Sequence, residues 1–189
     1  MKKRIICVVV LLAVCFVSLT GCNISQNVSE ENETENLEIV EEEKVEVLTG
    51  LNFEVPSGFV EDETRPGYYV SENYEDDYAC IYYQEAKADE RYSLLTEETI
   101  AELMQEIYSK LYGIETVVEV KDFHRFNLDG YEAYCIETEY NVDDLSMHSF
   151  EYTVISGEQI YSVTYVQRQN GGWKAAFAHS AENLQVVGR

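Results

Sequence analysis

Basic residues are scarce in this chain of 189 residues: 13 Lys and Arg stand against 36 Asp and Glu, giving a formal net charge of −23. A field of that sign repels nucleic acid and anionic lipid head groups and attracts cations and basic proteins. A nucleic-acid partner is therefore excluded. The motifs of common chemistries are absent too: there is no C-x-x-C pair, no G-x-S-x-G nucleophile turn and no phosphate-cradling glycine loop. The only histidines, His124, His148 and His179, do not share ligand spacing on one expected element. No catalytic residue is assigned and no enzyme activity is expected. No apolar run is long enough to cross a bilayer, which takes about twenty residues. The longest, Ile5 to Val17, has thirteen.

What is present begins at that run. Behind the basic head Met1-Lys2-Lys3-Arg4 it has the length of an export signal. The stretch that follows, Leu19-Thr20-Gly21-Cys22, resembles the lipobox of bacterial lipoproteins. The resemblance implies cleavage after Gly21 and acylation of Cys22, so that the membrane becomes a partner through a lipid anchor and the location is extracytoplasmic. Each buried methylene contributes about 0.8 kcal/mol, so two or more acyl chains hold where one binds marginally. Losing the three basic residues of the leader takes the net charge from −23 to −26. Cys7 and Cys15 leave with the leader and Cys22 carries lipid, which leaves Cys80 and Cys135. Outside the cytoplasm these two can form a disulfide, stabilising the fold by about 4 kcal/mol in a chain-entropy account. Each also sits in an apolar β-like segment, where a free cysteine packs as a small hydrophobe.

Three regions follow from composition. Residues 1–21 are the signal, and 22–48 are the lipidated cysteine with an acidic tether. The tether is rich in Glu, Asn and Ser and has no aromatic residue, a composition that buries too little apolar surface to offset its ordering entropy. Residues 49–189 form the domain. Leu51, Phe53 and Val55 alternate as a strand that Pro56 stops; Tyr68-Tyr69-Val70 and Tyr78 to Gln84 are the next strands, joined by the polar loop Ser71 to Asp77. A helix runs from a Thr96 cap to Gly113, with Ile100, Leu103, Met104, Ile107 and Leu111 as its apolar stripe. Four strands succeed it: Thr116 to Phe126, Tyr131 to Tyr140, Ser149 to Ile155 and Gln159 to Gln167. Short connections make them antiparallel neighbours. In the last, Tyr161, Val163 and Tyr165 face one way and Ser162 and Thr164 the other, so one side is more apolar. A terminal helix bears Trp173, Phe177 and Leu184, with Val186 and Val187 fraying beyond it.

This order of elements, together with "GLNFEVPSGF", the segment "NLDGYEAYCIETEY" and "QIYSVTYV", resembles the PsbP-like superfamily over about Thr49 to Val187. That superfamily includes a photosystem II extrinsic subunit, a Ran-binding nuclear-import factor and small bacterial lipoproteins. The resemblance implies an α+β fold, a single antiparallel β-sheet of six to seven strands flanked by helices. It transfers no catalytic residue.

The remaining signal lies in tyrosine and in acidic loops. Tyrosine supplies large amphipathic area at low entropy cost, a habit of binding surfaces, and the chain has 15. The hairpin bearing Tyr68, Tyr69, Tyr74, Asp76 and Asp77 is the candidate face for a basic or envelope protein partner. Asn73, Glu75, Asp76 and Asp77 also offer oxygen ligands for Ca²⁺, without the alternating spacing of an EF-hand. Asp143-Asp144 is a second acidic cluster. No other cofactor is expected. The function expected is a membrane-tethered, non-catalytic binding or assembly module; the alternatives are a Ca²⁺-binding envelope module and an envelope enzyme of unrecognised type.

Overall fold

The computed structural model describes residues 48–88, 92, 94–113 and 116–188. The signal, Cys22 and the tether lie outside the described residues, apart from Leu48. The elements in chain order are β1 (Leu48–Asn52), β2 (Phe59–Glu61), β3 (Tyr68–Ser71), α1 (Tyr74–Asp77), β4 (Cys80–Lys87), α2 (Glu97–Tyr112), β5 (Val118–Leu128), β6 (Tyr131–Val142), β7 (Leu145–Ser156), β8 (Gln159–Arg168), α3 (Lys174–Glu182) and β9 (Gln185–Gly188).

Seven strands make one antiparallel sheet in the order β2-β3-β4-β8-β7-β6-β5. From β5 to β8 the chain meanders through tight turns at which Asp129, Gly130, Asp143 and Gly157 take positive φ. β4 then pairs with β8, so α2 crosses the sheet before the meander begins.

Each face of the sheet has its own cover. One is apolar: Phe177 of α3 lies 5.2 Å from the Tyr165 ring and 5.7 Å from Phe59, over Ile81, Ala133, Val154, Tyr161 and Val163. The Tyr161 hydroxyl donates to the Leu48 carbonyl (3.0 Å), and Ser180, bonded to the Tyr165 hydroxyl (2.9 Å), donates to the Glu54 carbonyl. On the other face α2 sets Ile100 and Met104 against Tyr134 and Ile136. Thr96 caps α2 by accepting from the Thr99 N–H, Glu97 and Glu98 sit in the first turn, and Gly113 closes it at φ 109°. Among the described residues no helix is long and apolar enough to cross a membrane. Contacts divide the chain between Val45 and Glu46, and Glu46–Arg189 is one unit.

Three expectations are corrected. The first strand spans Leu48–Asn52 rather than Leu51 to Val55, because it pairs with β9: Leu51 faces Val186 and Gly50 faces Val187. Val186 and Val187 are thus paired and not frayed, α3 ends at Glu182, and Leu184 is buried beyond the helix. The disulfide does not form. Cys80 stands in line with Val166 and Ser149, whereas Cys135 stands with Tyr152 and Val163, which places the two on opposite faces with β8 and β7 between them. Three strand spacings are about 14 Å, against the roughly 7 Å between Cα atoms that a disulfide tolerates. Both cysteines are buried, and burial pushes the thiol of Cys135 up to about 12.

Candidate functional site

Segment Ser71 to Asp77, expected as a polar loop, continues β3 at Ser71 and folds at Tyr74–Asp77 into the single turn α1, which Tyr78 ends at φ 53°. Asp77 sets its shape. Its Oδ1 accepts from Ser71 Oγ (2.6 Å) and the Ala79 N–H (3.0 Å), and its Oδ2 accepts from Trp173 Nε1 (2.8 Å). Trp173, the chain's only tryptophan, lies edge-on to Phe59 at 4.7 Å, and its backbone N–H donates to Gln167 Oε1 (2.9 Å). A Cβ at Gly171 would come within 2.6 Å of that same Oε1 and 2.9 Å of the Arg168 carbonyl. Only glycine fits there. Through Trp173, held by Asp77 and Gln167, the start of α3 is clamped to α1.

The clamp opens a cleft of about 520 Å³ at this end of the sheet, lined by Asp76, Asp77, Asp144, Ser146, Arg168 and Asn170 among others. The pairing of Met147 with Arg168 brings the β6–β7 turn and its Asp144 beside the end of β8. Two acidic clusters far apart in sequence thus share one cleft. Arg168 is the basic group in its lining, with the guanidinium carbon 4.6 Å from the Tyr78 ring centroid and a buried Nε that has no hydrogen-bond partner among the described residues.

The candidate face does not stay together. Tyr68 and Tyr69 are neighbours on a strand and point to opposite sides. Tyr68 is buried, stacked on Tyr82 at 6.2 Å, with the Arg65 guanidinium 3.7 Å over its ring. Tyr69 is edge-on to Phe53 at 5.8 Å on the other side. Asp76 reaches the cleft; Tyr74, half-buried, leans on Tyr78 at 5.7 Å. Asn73 and Glu75 are exposed, and Asp77 is occupied by its three donors. Among the described residues no three His, Cys, Asp or Glu side chains converge as a metal-binding group. The histidines stay apart: His148 Nε2 meets Glu137 (2.6 Å), His124 Nδ1 meets Asp122 (2.6 Å), and His179 lies 3.8 Å from Glu54. Sequence reasoning missed Arg168 and Asn170, because only the strand register brings them opposite the acidic turns.

No family model and no curated protein matches the sequence. Among solved structures, the chain is similar to cyanobacterial PsbP (CyanoP) from Synechocystis sp. PCC 6803, with a TM-score of 0.53 at 15% identity over 73% of this chain and 87% of that one. The fold is PsbP-like. Two further structures fall below a TM-score of 0.5: LpqN of Mycobacterium tuberculosis, described as involved in cell envelope biogenesis (0.46, 14% identity, 72% of this chain and 83% of that one), and a Pseudomonas aeruginosa protein of unknown function (0.43, 9%, 71% and 81%). In the PsbP-like fold of this chain the acidic cleft is built from three connections at one end of the sheet, where loops vary without disturbing the core.

Proposed function

We propose that the chain is an extracytoplasmic module, tethered to the bacterial cell membrane through a lipidated Cys22, that acts without catalysis by receiving a basic envelope partner at the acidic end of its sheet. The observation that carries this reading is the convergence of Asp76, Asp77 and Asp144 on one cleft. The export-like leader, the lipobox-like Leu19 to Cys22 and the charge of −23 support it. A negative cleft of this kind raises the encounter rate with cationic partners in a salt-dependent manner. Calcium is the alternative occupant, and of the loop expected to bind it Asp76 and Asp77 line the cleft.

A photo-crosslinking residue at position 76, compared with one at position 127 on the far end of β5, tests the partner. The expected result is an adduct with a basic envelope protein from position 76 only, weakened by Asp144→Asn and by added salt. Equal adducts from both positions would reject the cleft as the docking end. Calorimetric heat at millimolar calcium that Asp144→Asn abolishes would favour the ion instead. Mass spectrometry of the native chain tests the tether, with an acylated Cys22 at the N-terminus as the expected species.

A further inference from the structure

The sheet face under α2 is built differently from an ordinary core. Strand register lays it out in rows: Tyr82, Thr164, Glu151 and Ile136 form one, and Gln84, Ser162, Thr153 and Tyr134 the next. α2 lies over β5 and fills the β5–β6 half with aliphatic side chains. Over the middle of β7 and β8, between Met147 and Val166 at one end and Ile155 and Ile160 at the other, the floor is made of hydroxyls. Ser149, Thr153, Ser162 and Thr164 are all buried, and the Tyr108 hydroxyl reaches from α2 to Thr138 (3.1 Å) and Ser149 (3.0 Å).

Glu151 stands in the middle of this floor. Its Oε1 accepts from Thr153 Oγ1 at 2.9 Å, and no ion pair to it occurs among the described residues. Arg125, on the same face beyond Tyr134, is engaged by Glu132 and by the Leu95 carbonyl (2.9 Å). A carboxylate offers about four acceptor positions, so most of those on Glu151 have no donor among the described residues. Tyr134, 1% exposed, has a buried hydroxyl with no well-formed hydrogen bond, although Thr153 lies beside it. An acidic group taken from water without a counter-charge is costly, and so is an unpaired buried hydroxyl. Both deficits fall within two adjacent rows. Burial raises the Glu151 carboxyl above its ordinary value, and Tyr82, Tyr108 and Tyr134 all feel its charge. Glu151, Tyr82, Gln84 and Tyr108 each keep part of their surface in water.

We infer that this face is a binding site for a small organic ammonium, whose N–H donors meet Glu151 and Tyr134. A cation supplies what the residues lack, namely hydrogen-bond donors and positive charge. A neutral polyol would satisfy the donors and leave the carboxylate uncompensated. The site is separate from the acidic cleft, so either can fail alone.

Methylammonium chloride is the probe, titrated into the full chain in detergent at 0.2 M KCl and followed by amide and methyl shifts in NMR spectra, with methanol as neutral isostere. The expected result is a saturable response confined to Tyr134, Thr153, Ser162 and Thr164, at least tenfold weaker affinity in Glu151→Gln, and no saturation by methanol. Because Glu151→Gln removes a buried charge at constant shape, its dispersed spectrum checks that it folds; Tyr134→Phe, which also keeps its shape, should weaken binding severalfold. A response spread over surface carboxylates, one unchanged in Glu151→Gln, or an equal response to methanol would overturn the assignment.

Discussion

The two faces of one sheet use opposite chemistry at adjacent residues. On β7, Val154 packs among Tyr161, Phe150 and Ala133 in the cluster covered by α3 and the β1–β9 ribbon, while its neighbour Thr153 turns to Glu151 beneath α2. On β8, Val163 and Thr164 repeat the contrast, and both are buried. The apolar face gains from area removed from water, at about 25 cal/mol per Å². On the other face that gain comes from the cluster that α2 packs on β5 and β6, and the hydroxyl stretch of β7 and β8 contributes little by that route. Fully satisfied, a polar floor rigidifies a fold; left partly unsatisfied, it is the place where a ligand adds most. The comparison teaches that burial alone does not identify the core.

The largest expected effect breaks the apolar side. Phe177→Ala should cost about 3–5 kcal/mol in urea unfolding, because a large side chain leaves a cavity against Tyr165 and Phe59. Next comes the clamp between α1 and α3. Asp77→Ala should cost about 2–3 kcal/mol by stranding Ser71 Oγ and Trp173 Nε1, and the fluorescence of the single tryptophan should shift with it. Asp76→Asn, whose side chain is exposed at the same cleft, should leave stability unchanged.

A smaller effect sharpens the hydroxyl side through pH. The folded carboxyl of Glu151 titrates above its ordinary value of 4.5 because of burial. The folded state therefore holds that proton more tightly than the unfolded one, and stability falls as pH rises from the ordinary carboxylate value through the folded one. Glu151→Gln should be more stable than the parent chain at pH 7, and the difference should vanish below about pH 4, where both forms of the parent are protonated. Paired urea titrations at the two pH values check it. Asp62 works with the opposite sign: hydrogen bonds from Thr64 and Arg65 hold it down at about 2.

Much of this architecture is legible in the chain. Thr96 and Gly113 mark the ends of α2, and Asp129-Gly130 and Gly157 mark turns of the meander, because capping and positive φ are local demands with local residue signatures. The alternation Tyr161-Ser162-Val163-Thr164-Tyr165 gives the two-faced sheet. The β1–β9 ribbon was not legible, since it joins the two ends of the domain and neither strand signals its partner. Ser162 and Thr164 read as the less apolar side of a strand, and the sequence did not single out Glu151 or Thr153, because a period of two assigns a face without saying whether a helix covers it. Of the candidate site, Asp76 and Asp144 were named from acidic loops, but their shared cleft with Arg168 depends on the β7–β8 register. Tyr68 looked like a binding residue because strand tyrosines suit a half-exposed surface and a core position alike.

The central claim is that the middle of β7 and β8 under α2 is a polar network organised by Glu151, and not a continuation of the apolar cluster that α2 packs on β5 and β6. A reciprocal pair of near-isosteric swaps on β7, measured by urea unfolding at pH 7, tests it directly. Thr153→Val strands Glu151 and should cost about 1–3 kcal/mol, and Val154→Thr buries a hydroxyl in the apolar face at about the same cost. A Thr153→Val chain as stable as the parent, or more so, would contradict the account.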